Sequence, residues 1–320
     1  MSIDLAPPPQ AVSPDVLATI GNTPLVELTR ITPNPEVRIL AKLESANPTG
    51  SIKDRTALSL IEDAEARGLI RPGDTIMEPT SGNTGISMAM ICRVRGYKLV
   101  AVMPDNVTEE RRQLLRLYGA DIVDSPGDQG SNGAVVLARR LAQEQGLFMP
   151  FQYANPANPR AHSEGTADEI VRDCPEIDVL VAGLGTGGTL MGCAERLKRH
   201  RPEIQIVACE PMQGEPVMGL RSLDDGFVPP ILDVSRLDRK LLVANRDALA
   251  MTRRLAAEEG LFVGISSGAS IHVCVRLART MERGTIVGIV ADGGWKYLSA
   301  GIWTDDAATV EDRLDRGVFW

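Results

Sequence analysis

The sequence predicts an α/β fold built on mostly parallel sheet. Short, continuous apolar runs such as Leu99-Val100-Ala101-Val102-Met103 read as strands covered on both faces. Segments with apolar residues at i, i+3, i+4 and i+7 alternate with them along most of the chain. Glycine or proline closes several of these segments, as at Gly68, Pro104 and Gly119.

Taken in order, residues 54–68 read as a helix, because Ala57, Leu60, Ile61 and Ala64 share one face and Gly68 ends it. Thr75-Ile76-Met77 is strand-like, 84–95 is helical and 99–103 is a strand stopped by Pro104. Residues 108–118 form a helix with Thr108 as N-cap and Gly119 as stop. A short strand at 121–123 and a helix at 132–145 follow. Beyond a Pro/Asn-rich stretch at 153–159 come a strand at 178–182, a helix at 188–200, a strand at 204–209, helices at 246–259 and 268–282, and a strand at 285–291. The Pro/Asn stretch is a candidate boundary, and 320 residues suit roughly two domains.

Composition excludes several functions. Lys+Arg 34 against Asp+Glu 42 gives a net charge of −8, which disfavours nucleic acid or an anionic membrane as partner. With Phe 5, Tyr 4 and Trp 3 there is little material for a base-stacking platform. No apolar run is long enough to span a membrane. The opening MSIDLAPPPQ lacks the basic and apolar regions of a signal peptide and reads as the tail of a cytoplasmic protein. Cys92, Cys174, Cys193, Cys209 and Cys274 are odd in number and widely spaced, so buried free thiols are expected rather than a metal site. His162, His200 and His272 are too scattered in sequence to suggest a metal site or a nucleophile triad.

Two glycine loops carry chemistry. Gly183-Leu184-Gly185-Thr186-Gly187-Gly188-Thr189 follows a strand and opens a helix. Bare glycines let backbone N–H groups approach an anion, the helix dipole adds positive potential, and Thr186 and Thr189 add hydroxyls. Gly183, Gly185 and Gly188 also match G-x-G-x-x-G, with Glu210 ending the next strand. Turn glycines, a dinucleotide site and a cradle for another phosphate cofactor are the three readings, and the chemistry favours the last. Pro79-Thr80-Ser81-Gly82-Asn83-Thr84-Gly85 is either a carboxylate or phosphate nest or an ordinary capped turn. It is not a P-loop, since G-x-x-x-x-G-K-[ST] does not occur.

Asn47-Pro48-Thr49-Gly50-Ser51-Ile52-Lys53-Asp54-Arg55 places a lysine at the mouth of a helix, where its charge opposes the dipole. Such a lysine is either simply solvated or has its charge removed by bonding to a carbonyl. Beside a phosphate cradle, the second reading suggests a Schiff base with a phosphorylated aldehyde, pyridoxal 5'-phosphate.

These segments, with Gly21-Asn22-Thr23-Pro24-Leu25 before them and Gly264-Ile265-Ser266-Ser267-Gly268-Ala269 after, occur in an order that resembles the cysteine synthase (O-acetylserine sulfhydrylase) family of fold-type II pyridoxal phosphate enzymes. The resemblance runs from about residue 20 to about 302. It is closest to B-type members, through Gly50-Ser51-Ile52-Lys53, Met103-Pro104-Asp105-Asn106, Glu110-Arg111-Arg112-Gln113 and Trp295-Lys296-Tyr297-Leu298-Ser299. The segment 210–232, with Gly219-Leu220-Arg221, resembles members that use O-phosphoserine. Gly187 departs from the threonine common in B-type members, which should leave a cradle of backbone N–H groups intact.

The resemblance implies two three-layer α/β/α domains of mostly parallel sheet, similar to the tryptophan synthase β fold. Residues 1–12 would be a tail, 13–42 and 152–320 the larger cofactor-binding domain, and 43–151 a smaller movable domain. Lys53 would carry the Schiff base and act as acid and base. Asn83 would meet the cofactor's phenolic oxygen, Gly185, Thr186, Gly187, Gly188 and Thr189 its phosphate, and Ser266 (Ser267 being second choice) its pyridine nitrogen. Thr80, Ser81, Gly82, Thr84 and Gln152 would hold the substrate carboxylate. Arg221 would select a phosphate leaving group, unless it is a surface residue bridging to Asp224 or Asp225.

The activity implied is β-replacement, in which an activated serine (O-phosphoserine or O-acetylserine) and a sulfur donor give L-cysteine. Sulfide, thiosulfate and a carrier-protein thiocarboxylate stay open as donors. A homodimer and a sulfur-carrier protein are the implied partners, and no metal is implied. The alternatives are another fold-type II enzyme such as a cystathionine β-synthase or serine dehydratase, an NAD-dependent oxidoreductase, or a non-catalytic regulatory homologue. The length leaves no room for the long regulatory extension usual in cystathionine β-synthases. The terminal Val318-Phe319-Trp320 would be a packing anchor or a lid over the site.

Overall fold

Apolar strands gather into two separate sheets in the computed structural model, which describes residues 12–80, 82–215, 217–306, 309–310 and 313. The larger sheet contains β1 (Leu25–Glu27), β2 (Val37–Leu43), β6 (Val179–Gly183), β7 (Gln205–Pro211), β8 (Arg239–Val243) and β9 (Gly284–Val290), in the order β1-β2-β9-β6-β7-β8. Only β1 runs antiparallel to its neighbour. The smaller sheet is β3 (Thr75–Pro79), β4 (Lys98–Pro104) and β5 (Asp121–Ser125), all parallel.

Helices cover both faces of each sheet, and the period-2 alternation of the strands decides which side chain meets which helix. In the larger sheet Val181, Val207 and Ile286 pack toward α8 (Asn245–Glu259) and α9 (Ile265–Ala278), with Leu249, Ile271 and Cys274. Their chain neighbours Leu180, Ile206 and Val287 pack on the opposite face with Leu190 and Leu197 of α7 (Gly188–His200) and Ile170 of α6 (Ala167–Asp173). In the smaller sheet Ile76, Leu99 and Ala101 meet α1 (Lys53–Ala66) and α2 (Asn83–Arg95) through Leu60, Ile61 and Ile86. Met77 and Val102 face Ala134 and Ala138 of α4 (Gly130–Gln145). The α/β class follows from the sequence pattern, and the two three-layer sandwiches are those the family resemblance implies.

Several boundaries differ from the sequence reading. α9 starts at Ile265, earlier than the expected 268, because extended Gly264 is its N-cap, and it stops at Ala278 rather than 282. Thr108 does occupy the N-cap of α3 (Glu109–Leu117), but its hydroxyl makes no capping bond and is buried without a partner. The strands β1, β2 and β8 carry no clean apolar run: Lys42 interrupts β2, and β8 is an edge strand with exposed Arg239 and Lys240. Part of the Pro/Asn stretch is helical, as α5 (Ala157–Ala161). A π-helical turn at His162–Thr166 joins it to α6.

All five cysteines are buried and free, as their apolar settings suggest. Among the described residues no helix is long and apolar enough to cross a membrane. Ser81, the first residues 1–11 and the end 318–320 lie outside the described residues.

A buried charge cluster ties the N-terminal segment to α1 and α6. Arg55 donates from Nε to Glu44 at 2.7 Å and from Nη1 to Glu169 at 2.6 Å, while Lys42 Nζ lies 2.7 Å from Glu169 Oε2. Thr23 completes the cluster through both its backbone N–H and its hydroxyl. Burial works against the Glu169 charge, but hydrogen bonds from Arg55 and Lys42 and the Arg55 charge overcome it and hold its pKa to about 2. A depressed carboxylate pKa contributes stability above the ordinary value of 4.5, and that stability is lost as pH falls toward 2. Glu169→Gln is therefore expected to cost about 3 kcal/mol at pH 7, since it leaves two buried cations short of a partner. Urea unfolding followed from pH 7 to pH 3 should show the difference from wild type shrinking with acid.

Candidate active site

The carboxyl ends of β3, β6 and β9 point to one place, which is where ligands sit in open parallel sheets. The loop after β3 leads into α2, the loop after β6 leads into α7, and the exit of β9 receives the turn before α1. That turn is stitched down by two backbone bonds, Ile52 N–H to Ala291 O at 2.8 Å and Gly293 N–H to Gly50 O at 3.2 Å. Gly50 has φ +74° and lies under Trp295, where a Cβ would come within 2.8 Å of the indole. Glycine is needed there for both reasons.

Lys53 is thereby fixed as the first residue of α1, its backbone N–H bonded to Ser51 Oγ at 3.1 Å. Desolvation pushes its ammonium below the ordinary lysine range, against the pull of the Asp292 charge. Asp54, next in the chain, accepts from the Thr49 N–H at 2.7 Å and from the Ser87 hydroxyl, so it anchors the turn and α2 rather than pairing with Lys53.

Two adjoining cavities share Lys53, Gly185, Thr186, Gly219 and Leu220. The first, of about 440 Å³, runs from Lys53 along the α7 N-terminus, with Gly187, Thr189 and Ser266 in its lining. Ser267 is fully buried with an unpartnered hydroxyl and is not in either lining. The second, of about 650 Å³, is lined by Thr80, Gly82, Asn83, Thr84, Gln152 and Arg221, together with Arg111, Ser131, Tyr153 and Tyr297.

The phosphate-type loop is braced from below. Thr186 Oγ1 accepts from Asn158 Nδ2 at 3.0 Å and from the Gly188 N–H at 3.3 Å. Gly188 packs so closely on Asn158 that a Cβ would collide with its side chain. His162 is buried between Thr56 (3.1 Å), Thr166 (3.0 Å) and Thr189 (3.4 Å). Desolvation, with the charges of Lys53 and Arg55, holds His162 well below the ordinary imidazole range, so it is neutral.

In the second cavity Thr84 donates to Gln152 Oε1 at 2.7 Å, and Thr80 Oγ1 accepts from the Gly85 N–H at 2.8 Å. Glu78 at the end of β3 grips the backbone N–H groups of Phe151 (2.8 Å) and Gln152 (3.0 Å), holding Phe151 at φ +56°. Burial pushes Glu78 up to about 7, against those two hydrogen bonds.

Arg221 is buried rather than on the surface. It donates to Asn132 Oδ1 at 3.1 Å and Ser131 Oγ at 2.8 Å, and its guanidinium lies 4.9 Å from the Phe227 ring centre. Glu210, the acid of the dinucleotide reading, is buried against the Leu223 N–H (2.6 Å) and Lys240 (2.7 Å) and lines neither cavity.

A model of the family described as pyridoxal-phosphate dependent enzyme matches residues 16–292. A cysteine synthase from Staphylococcus aureus is 43% identical over 303 residues, covering 91% of this chain and 97% of that protein. The chain belongs to the cysteine synthase family of pyridoxal-phosphate dependent enzymes. A solved O-ureido-L-serine synthase superposes with a TM-score of 0.87 at 43% identity, covering 92% and 96% of the two chains. The solved cysteine synthase of Entamoeba histolytica gives 0.88 at 33% identity, covering 98% of each. The dinucleotide oxidoreductase reading falls with this membership.

The residues present fit the family's cofactor. The first cavity offers a desolvated amine for an aldehyde, bare backbone at Gly185 and Gly187 on a helix N-terminus for a phosphate, and a hydroxyl at Ser266. Sequence reasoning missed Asn158, His162, Tyr153, Asp292 and Glu78. Arg111, Lys296 and Tyr297 stood in quoted motifs without a role. Gly188→Ala is expected to displace Asn158 and with it Thr186, weakening pyridoxal phosphate binding at least tenfold and lowering stability by about 1–3 kcal/mol. Equilibrium dialysis with pyridoxal phosphate and a thermal melt measure the two effects.

Proposed function

We propose that this enzyme makes L-cysteine by β-replacement on an activated serine. The observation that carries the reading is Lys53, a desolvated amine shared by a phosphate-type cradle and a second, cation-lined cavity.

Pyridoxal phosphate, when bound, would supply an electron-withdrawing ring that acidifies the substrate's α-carbon. Backbone N–H groups at 185–189 and the Thr186 and Thr189 hydroxyls would hold its phosphate. Ser266 would offer a neutral hydroxyl to the pyridine nitrogen, which would favour loss of a β-substituent over a long-lived carbanion. Asn83 would meet the phenolic oxygen. Thr80, Ser81, Thr84, Gln152 and the Gly82 backbone hold the substrate carboxylate.

Lys53 Nζ would take the substrate's α-proton as the β-oxygen leaves with its bonding electrons. A sulfur nucleophile then forms the Cβ–S bond, and Lys53 returns the proton to Cα. Desolvation lowers the basicity of Lys53, which favours the uncharged, proton-accepting form that the step requires. Residues 43–151, moving as a smaller domain against 13–42 and 152–320, close over the substrate and exclude water.

Arg221 selects the leaving group. Its guanidinium, held by Ser131 and Asn132 and flanked by Tyr153 and Phe227, suits a phosphate through paired hydrogen bonds, whereas acetate needs no such partner. The reading carries a homodimer in the cytoplasm and a sulfur source that is sulfide, which gives L-cysteine directly, or thiosulfate or a carrier-protein thiocarboxylate, whose S-sulfocysteine or carrier adduct needs a later reduction or hydrolysis to release it.

Lys53→Ala is expected to abolish cysteine formation while pyridoxal phosphate becomes removable by dialysis. Arg221→Ala is expected to lower kcat/KM for O-phosphoserine by about a hundredfold, as loss of a charge-assisted contact implies, and that for O-acetylserine less than threefold. Equal losses on both substrates would refute the leaving-group role. Wild-type protein loaded with pyridoxal phosphate that forms no cysteine from either substrate would refute the activity.

A further inference from the structure

Asn83 is gripped at both ends of its amide. Lys296 Nζ donates to Oδ1 at 2.7 Å, and Nδ2 donates to Asp292 Oδ2 at 2.7 Å. Turning the amide over would set an NH2 against the ammonium and a carbonyl oxygen against the carboxylate, losing two charge-assisted hydrogen bonds and creating two repulsions. One orientation is therefore enforced. It leaves one Nδ2 hydrogen uncommitted, on a residue that lines the cavity shared with Lys53.

The two charged partners do not line either cavity. Both are fully buried, at 0% exposure. Lys296 also donates to Gly50 O at 3.3 Å, and its Nζ lies 5.0 Å from the Trp295 ring centre. Asp292 Oδ2 takes a second hydrogen bond from the Tyr297 hydroxyl, and the Asp292 backbone oxygen receives the Gly264 N–H at 3.1 Å. The pair thus bolts the Asn83 amide to the turn that carries Lys53 and to the start of α9, which carries Ser266. Burial draws Lys296 down to about 8, with Asp292 and Asp54 pulling up and Arg111 and Lys53 adding repulsion, so it is still largely cationic at neutral pH.

Burying a lysine and an aspartate off the ligand surface is costly, and an apolar pair would pack there more cheaply. We propose that Lys296 and Asp292 are positioning residues that preset the Asn83 amide as a donor to bound pyridoxal phosphate. The inference rests on the assignment of Asn83 to the cofactor's phenolic oxygen.

The test uses holoenzyme and compares wild type, Lys296→Met, Lys296→Arg, Asp292→Asn and Asn83→Ala, with the Asn83→Ala/Lys296→Met double variant closing a cycle. Cofactor dissociation constants are read by dialysis, and the visible absorption maximum of the bound cofactor reports the ring oxygen's hydrogen bonding. Lys296→Met is expected to weaken cofactor binding roughly tenfold, the scale of one hydrogen bond to a charged group, and to move the absorption maximum in the direction that Asn83→Ala moves it. Lys296→Arg should restore most of both, and Asp292→Asn should act like Lys296→Met. The double variant should be no worse than Asn83→Ala alone, because both changes remove one device. Losses that add in the double variant, or a Lys296→Met enzyme with wild-type affinity and spectrum, would overturn the proposal. Should Lys296→Met fail to fold, Asp292→Asn against Asn83→Ala decides by the same criterion. Turnover of wild type with an activated serine is scored separately, so failure of the cysteine-forming reading leaves the spectral cycle interpretable.

Discussion

The turn from Gly50 to Lys53, pinned to the exit of β9 by Ile52 and Gly293, is the junction on which the site depends. The helix that follows belongs to the smaller sheet: Leu60 and Ile61 of α1 pack with Ile76 and Ile86. Its first turn, however, is bonded to the larger sheet. A lysine at that junction faces both units at once and is half-buried between them.

Around this amine the neighbouring charges are kept in fixed roles. Asp54 is saturated by Thr49 and Ser87, and Asp292 is engaged with Asn83 and Tyr297. Neither forms a direct ion pair with Lys53, so the amine keeps its lowered basicity. Farther out, Arg55, Lys42, Glu44 and Glu169 neutralise one another in a closed cluster. The net charge of −8 therefore coexists with a cavity that presents Arg111, Arg221 and Lys53 to a small anion.

Much of this was legible in the sequence because it was local. Both glycine loops, the lysine at a helix mouth and the alternation of strands with helices are patterns within a few residues. Strands such as β2 and β8 were not legible, since Lys42 is buried only because Glu169, far along the chain, pairs with it. The same holds for the supporting polar residues. His162 meets Thr56 and Thr189, Glu78 meets Phe151 and Gln152, and Lys296 meets Asn83 across more than two hundred residues of sequence. Tertiary pairing gives these side chains their meaning, and no periodicity encodes it. Serine choice followed the same rule: Ser266 and Ser267 are equivalent in pattern, and only helix rotation sends one into the cavity lining.

The five cysteines have a consequence for an enzyme of the cysteine synthase family, whose product is itself a thiol. Each thiol is buried, and burial pushes Cys92 and Cys193 up to about 12 and Cys174 to about 11. Thiol exchange needs an accessible sulfur and a thiolate, and these side chains offer neither. The thiol product can therefore accumulate around the folded protein without forming mixed disulfides with it. The packing of its core keeps every thiol of the protein away from the thiols in the surrounding solution.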